Sequence, residues 1–339
     1  MHRPSKEMEN ALNRRTFAVR LLRTCARALL LSACLLPAGC ATMHRLTAPK
    51  PFTLIVLPDT QRYTQMYPNI FARQTAWIKE QKKLRNIVGV LHEGDITDKS
   101  TEEEWSTADQ SMRTLDGVVP YYLVMGNHDF DPDSTPAQRG ASRFNQHFGS
   151  QRFAKYPWYG GHYGAGNENA YYLLRVEKSE FLILCLEFGP RDDVLAWANQ
   201  IVAAHPNHHT ILFTHCYTSA HDTRIGPKDP GNPRGMGYDG NDGEQIWQKF
   251  ASRHKNIFLV LSGHILGDGL GHLISQGING NRVDQILANY QMQKFGGTGW
   301  LRILNFHPDQ QKISIKTYSP MLEKYAHGQQ NQFEIDYPR

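Results

Sequence analysis

The amino-acid sequence predicts an α/β fold whose core is a layered, largely parallel sheet. Two observations predict it. Through the first part of the body, apolar runs of about five or six residues alternate with amphipathic helix-like segments, the β-α-β-α-β order of a parallel core. The composition is also that of a globular chain: 40% of the 339 residues are hydrophobic and 20% charged, which excludes a disordered or fibrous chain.

In chain order, Phe52–Leu57 reads as a strand, Asn69–Lys83 as a helix opened by Pro68, Ile87–Leu91 as a strand, Thr101–Leu115 as a helix and Tyr121–Met125 as a strand. Tyr171–Val176 and Phe181–Leu186 flank Glu177-Lys178-Ser179-Glu180 and read as a hairpin. A helix at Arg191–Ala204, a strand at Thr210–Phe213, a helix at Glu244–His254 and a strand at Ile257–Leu261 follow. Gln285–Ala288, Trp300–Leu304 and Lys312–Tyr318 close the chain as mainly antiparallel strands. Thr218–Gly243 is rich in Gly, Pro, Asp and Asn and reads as an irregular insertion, a feature more often functional than idle in a compact domain. Cys185 and Cys216 could pair, but their spacing does not demand it.

The charge is uneven. Residues 1–39 carry seven of the 37 basic residues and two of the 32 acidic ones, so from residue 40 onward 30 face 30. This balance excludes a global basic field for holding nucleic acid, and no specific nucleic-acid binding is expected. The basic N-terminal segment leads into an uncharged, mostly apolar run, Ala28–Gly39, too short to span a bilayer as a helix. That order describes a secretory signal over residues 1–39. Asn13-Arg14-Arg15-Thr16-Phe17 resembles the twin-arginine export motif, and Leu36-Pro37-Ala38-Gly39-Cys40 resembles a bacterial lipobox. Together they imply a chain lipid-anchored through Cys40 on the periplasmic side of a bacterial membrane, with Ala41 suiting the outer membrane. Residues 40–51 read as a tether and 52–339 as the functional domain.

Five strands run directly into metal-ligand residue types: Asp59-Thr60-Gln61, Gly94-Asp95-Ile96-Thr97-Asp98, Gly126-Asn127-His128-Asp129, Thr214-His215 and Ser262-Gly263-His264. Ligands of open α/β sheets bind outside the carboxyl ends of parallel strands, so these turns should meet at one edge. A mixture of carboxylates, amide oxygen and imidazoles suits Mn, Fe or Zn better than Ca, which takes oxygen alone.

These motifs, in this order, resemble those of the calcineurin-like metallophosphoesterases, over roughly residues 52–320. The Asp-Thr-Gln first motif resembles a bacterial subgroup in which Gln replaces a histidine. The resemblance implies a four-layer α/β/β/α sandwich with a two-metal site at the strand ends. It implies that Asp95 bridges the metals, that Asn127, His215 and His264 complete the second position, and that Asp59 and Gln61 hold the first. His128 would serve as general acid, oriented by Asp129, and Asp98 would fix a ligand or loop from behind. The implied reaction is hydrolysis of a phosphate mono- or diester by a metal-held hydroxide. The family's Gly-His-x-His ending reads Gly263-His264-Ile265-Leu266 here, and Leu266 cannot coordinate. One tight site, for Fe or Mn ahead of Zn, and one weaker site are therefore expected, with His272, Asp268 and His92 as candidate substitutes for the missing ligand. The same departure motivates an alternative: a decayed metallophosphoesterase fold serving as a binding or scaffold lipoprotein.

Overall fold

A computed structural model describes residues Pro49–Pro338. The export motif, Cys40 and most of the tether lie outside the described residues. Two seven-stranded sheets form the centre. The first contains β1 (Phe52–Leu57), β2 (Ile87–His92), β3 (Tyr121–Leu123), β11 (Leu301–His307), β12 (Lys312–Ser319), β13 (Lys324–Tyr325) and β14 (Gln332–Asp336). The second contains β4 (Tyr159–His162), β5 (Ala170–Val176), β6 (Ser179–Leu186), β7 (His209–Thr214), β8 (Ile257–Ser262), β9 (Leu270–Gln276) and β10 (Arg282–Ala288).

Strand β1 shows why the sheets are buried on both sides. All six of its residues are buried, the pattern of a parallel strand covered on two faces. Phe52, Leu54 and Val56 point between the sheets, where they meet Phe181, Ile183, Phe213 and Leu261. Ile55 and Leu57 point the other way, into a core built with helices α2 (Pro68–Gln81) and α3 (Glu102–Arg113). Helix α1 (Gln61–Met66) precedes them, and α4 (Ser142–Phe148) and α5 (Ser150–Phe153) follow β3. The outer face of the second sheet, with Leu182, Leu184 and Leu212, is covered by α6 (Asp192–Ala204) and α7 (Gly243–Lys249). The layers are thus α/β/β/α, as the motifs implied. A fully buried Trp105 of α3 anchors the first outer layer, and its loss to Ala should cost about 3–5 kcal/mol.

Local chemistry sets the helix ends. Thr101, expected inside α3, is its N-cap: its hydroxyl accepts from the Glu104 N–H at 3.3 Å, and the Glu104 carboxylate accepts from the Thr101 N–H at 3.1 Å. Pro68 opens α2 at its first turn. The helix expected over Glu244–His254 stops at Lys249 and gives way to a 3₁₀ turn at Ala251–Arg253, where Phe250 is buried.

One expectation fails in a way that matters. Gln285–Ala288 belongs to β10, which is antiparallel to β9 but parallel to β8, so its carboxyl end leaves the sheet beside that of β8. Registers hold the parallel exits level: Leu57 lies opposite His92, His92 opposite Leu123, Leu186 opposite Thr214 and Ser262 opposite Leu287. Cys185 and Cys216 are both buried and unpaired thiols. Among the described residues no helix is long and apolar enough to cross a membrane.

Candidate metal centre

At the level exits the turns of both sheets interlock. The Glu93 N–H donates to the Leu57 carbonyl at 2.9 Å and the Thr60 N–H to the Asp95 carbonyl at 3.1 Å, within the first sheet's turns. The Gly263 N–H donates to the His215 carbonyl at 3.0 Å, within the second's. Contacts between the sets complete the rim: the Phe188 N–H reaches the Met125 carbonyl at 3.1 Å, and the His264 N–H reaches both Asp59 carboxylate oxygens at 3.3 and 3.2 Å.

These turns require unusual backbone. Gly94 has φ 88°, Asp95 φ 45° and His264 φ 70°, the left-handed region that L-residues enter at a cost of roughly 1–3 kcal/mol each. Gly126 and Gly263 serve close approach instead. A Cβ on Gly126 would stand 2.0 Å from Asp95 Oδ1, and one on Gly263 would stand 2.1 Å from Asp59 Oδ1.

The side chains converge accordingly. One ligand atom from each of Asp95, His215 and His264 lies within 4.8 Å of the others. His215 Nδ1–H donates to the Glu93 carbonyl at 2.6 Å, which leaves Nε2 as the free ring nitrogen. That nitrogen stands 3.1 Å from Asp95 Oδ1. Two lone pairs at that separation repel, so a proton or a cation belongs between them. His264 is fixed in the opposite tautomer: Nε2–H donates to the Gly231 carbonyl at 2.9 Å, leaving Nδ1 free. Asn127 Oδ1 and Gln61 Oε1 are buried without a hydrogen-bond partner, as is His215 Nε2. Buried polar atoms are rarely left so, and these belong to residue types that hold cations. The donor set therefore fits a metal.

Electrostatics agree. Burial opposes ionisation of Asp95, yet His215, with His128 and His264 beyond it, holds its carboxyl well below the usual range. Burial would lower His215, but the Asp95 carboxylate prevails and pushes the imidazole up to about 9. Burial, then the charge of His215, brings His264 down to about 4. Asp59 is pushed up to about 8, chiefly by burial. A cation seated here would reverse the desolvation cost of both carboxylates.

Two expectations need correction. The Asp129 carboxylate does not orient the His128 ring. It accepts the N–H groups of Gly126, Ile96 and Thr97 at 2.8, 3.1 and 2.9 Å, and so ties the β3 exit to the β2 exit. The main-chain carbonyl of Asp98 orients His128 instead, accepting from Nδ1–H at 2.7 Å, while the Asp98 carboxylate meets Arg62 at 3.2 Å and Gln65 at 2.6 Å. Asp98 therefore holds a loop, one of the two roles expected of it, and its carbonyl holds the His128 ring. Of the three candidate substitutes for the missing ligand, His92 and His272 are bound elsewhere, while Asp268 lines the cavity and commits one carboxylate oxygen to the backbone. His92 spends both ring nitrogens, on Thr60 at 2.9 Å and on the Gly94 N–H at 3.3 Å. His272 is bound to Asp284 at 2.7 Å, and Asp268 caps the Leu270 N–H at 3.1 Å.

Sequence reasoning missed two residues, Asn289 and Gln291, because β10 was read as antiparallel. Asn289 Nδ2 donates to Asp59 Oδ2 at 3.0 Å, and Gln291 Nε2 approaches the same oxygen at 3.4 Å. The signal was weak: only Ile286-Leu287-Ala288 is apolar ahead of the two amides, in a strand that also holds Arg282, Asp284 and Gln285.

A cavity of about 780 Å³ opens above Asp95, Asn127, His128 and His264. The Thr218–Gly243 insertion supplies one wall, including Ile225 and Met236, and its Gly231 carbonyl fixes His264. Arg62 also lines the cavity.

Comparison with known proteins places these features. Residues 52–268 match the model of the calcineurin-like phosphoesterases. Over 287 residues the chain is 34% identical to the uncharacterized protein YvnB of Bacillus subtilis strain 168, a match covering 80% of this chain and 20% of that protein. Over 134 residues it is 26% identical to the probable glycerophosphodiester phosphodiesterase GpdQ of Arcobacter nitrofigilis, covering 37% of this chain and 40% of that one. The chain thus spans a fifth and two fifths of these curated relatives. The crystal structure of a dimetal phosphatase from Danio rerio has the same fold, with a TM-score of 0.51 at 12% identity over 85% of this chain and 99% of that one.

Proposed function

The chain belongs to the calcineurin-like phosphoesterase family, and from that premise we propose that it is a metal-dependent phosphoesterase, exported and lipid-anchored through Cys40. The observation that carries the catalytic reading is the convergence of Asp95, His215 and His264 within 4.8 Å of one another, with the unpartnered, buried Asn127 Oδ1 on a residue of the same cavity lining. In this reading Asn127, His215 and His264 would hold a cation at the second position and Asp59 and Gln61 one at the first, with Asp95 serving both. Mn or Fe suits the mixed oxygen and nitrogen donors, with Zn next. Bound divalent cations supply Lewis acidity and a water made acidic enough to ionise near neutral pH.

The chain's own residues do the rest. His128 lines the cavity with Nδ1 committed to the Asp98 carbonyl, so Nε2 is the nitrogen available to give a proton to the departing alcohol oxygen. Asp129 keeps His128 in place through the backbone, by bracing the Gly126 and Thr97 amides on either side. Arg62 lines the cavity as a cation for a phosphoryl oxygen, its Nη1 held by Asp98 and Gln65.

The test is turnover of p-nitrophenyl phosphate and bis(p-nitrophenyl) phosphate by the purified protein, with Mn²⁺ added or chelated. Hydrolysis lost with chelator and in Asp95→Asn supports the reading. Absence of any turnover from metal-loaded protein would favour the binding-protein alternative that Leu266 suggests. Fractionation of cells expressing the wild type and Cys40→Ser tests the anchor: only the wild type should sediment with membranes.

A further inference from the structure

We propose that Gln291, on the loop leaving β10, takes over the coordination position that Leu266 leaves empty and completes an all-oxygen first metal position with Asp59, Gln61 and the shared Asp95. This inference rests on the two-position reading above and goes beyond it by supplying a ligand from a strand exit outside the family's five motifs.

The placement is specific. Leu266 and Gln291 line the same cavity, but Leu266 is half exposed while Gln291 is 8% exposed and stands beside Asp59. The amide heads of Gln61 and Gln291 meet, Gln61 Nε2 donating to Gln291 Oε1, and both face the Asp59 carboxylate region. Gln61 Oε1 is left buried without a partner, so this cluster is one acceptor in excess. Side-chain amide oxygen and nitrogen exchange places by rotation about the last torsion. Turned over, the Gln291 amide presents an oxygen, not an N–H, toward Asp59, and Gln61 turns with it so that its Oε1 accepts from Gln291 Nε2 with one lone pair and keeps the other for a cation; two amide oxygens beside a carboxylate are an arrangement only a cation makes favourable. Asn289 sets the stage but cannot be the ligand. Its Oδ1 accepts the Gln291 N–H at 3.0 Å, which aims its Nδ2 at Asp59 Oδ2 and fixes the loop that carries Gln291.

The chemistry of the two positions then differs. The second has two imidazoles; the first has carboxylate and amide oxygens only. Oxygen-only donors favour hard cations such as Mn²⁺ or Mg²⁺, whereas imidazoles accept Zn²⁺ readily. The protein should take two equivalents of Mn²⁺ but only one tight equivalent of Zn²⁺, the second binding at least tenfold more weakly.

The experiment is metal titration by calorimetry on the full-length protein, with bound metal counted by elemental analysis and Mn²⁺ pairs detected by electron paramagnetic resonance. No activity is read. Wild type should bind two Mn²⁺ and show the exchange-coupled spectrum of a pair. Gln291→Leu should bind one and show the signal of isolated Mn²⁺. Gln291→Glu, nearly isosteric and adding a charge, should keep two and tighten the weaker one at least tenfold, which keeps the test decisive if the Leu variant fails to fold. Leu266→His should raise the affinity for the second Zn²⁺. Wild type binding a single Mn²⁺, or Gln291→Leu and Gln291→Glu both binding two as wild type does, overturns the assignment while leaving the phosphoesterase reading intact. Wild type binding no metal defeats that reading and this one with it.

Discussion

Gly126→Ala gives the sharpest test of the site, because the space it lacks can be measured. The added Cβ would lie 2.0 Å from Asp95 Oδ1, 2.3 Å from the Asp95 nitrogen and 2.8 Å from its Cγ. To reach an ordinary contact near 3.4 Å, the Asp95 carboxylate oxygen must retreat by about 1.4 Å. The backbone of Gly126 is not left-handed, so the substitution acts through this collision and not through φ. A 1.4 Å shift breaks the 3.1 Å bond from the His128 N–H and separates Asp95 from His215 Nε2. Misplacement of about 1 Å at a reacting centre costs on the order of 10²-fold in rate, and overpacking costs about 1–3 kcal/mol of stability. Gly126→Ala should therefore fold, bind Mn²⁺ much more weakly and lose at least about 10²-fold in kcat/KM on bis(p-nitrophenyl) phosphate. Gly226→Ala is the control, since nothing stands nearer than 3.6 Å to its added Cβ. If Gly126→Ala binds metal as wild type does and keeps turnover within about threefold, far short of the loss a displaced reacting group causes, the placement of Asp95 at the centre is wrong.

Three further outcomes follow from the same geometry. His128→Ala should slow hydrolysis of esters with alkyl leaving groups by about 10²–10⁴-fold but that of p-nitrophenyl esters far less, because p-nitrophenolate leaves without a proton; equal losses on both would remove the general-acid role. Asp129→Asn places an amide N–H against N–H groups it formerly accepted, so it should destabilise by about 1–3 kcal/mol, seen as a lower urea midpoint at unchanged m. Asp284 is buried, and although burial alone would raise its carboxyl, Arg282 and then His272 hold it below the usual range. Its contribution is present above the unfolded carboxylate pKa near 4 and is lost as pH falls through the lower folded value. Asp284→Asn should thus cost about 1.5–3 kcal/mol at pH 7, with the gap to wild type closing in acid, and a gap constant down to about pH 2 would contradict this.

The residues legible in the sequence were those that follow an apolar run in a motif of their own. Asp59, Asp95, Asn127, His215 and His264 each stand at the exit of a strand whose continuous hydrophobicity betrays burial on both faces. Asn289 and Gln291 follow a strand interrupted by Asp284 and Gln285, and the direction of β10 depends on which neighbours it has. Pairing with β9 suggests an antiparallel meander, whereas insertion between β8 and β9 makes its exit point with that of β8. Strand order is a tertiary fact that alternation along one segment does not encode. The role of Asp129 was misread for a related reason: adjacency to His128 in sequence put its carboxylate on the opposite side of the turn, facing amides of another loop. The short edge strands β4, β13 and β14 carry too few buried residues to announce themselves.

The rim where the turns interlock draws on both sheets, with Asp59 and Asp95 from one and His215 and His264 from the other. A cation among them acts as a rivet through two plates. Loading and folding are then one equilibrium, and free metal at a thousand times its dissociation constant adds about 4 kcal/mol to the folded state. Amide exchange should slow in the central strands of both plates together when the rivet is set, and quicken in both when a chelator draws it.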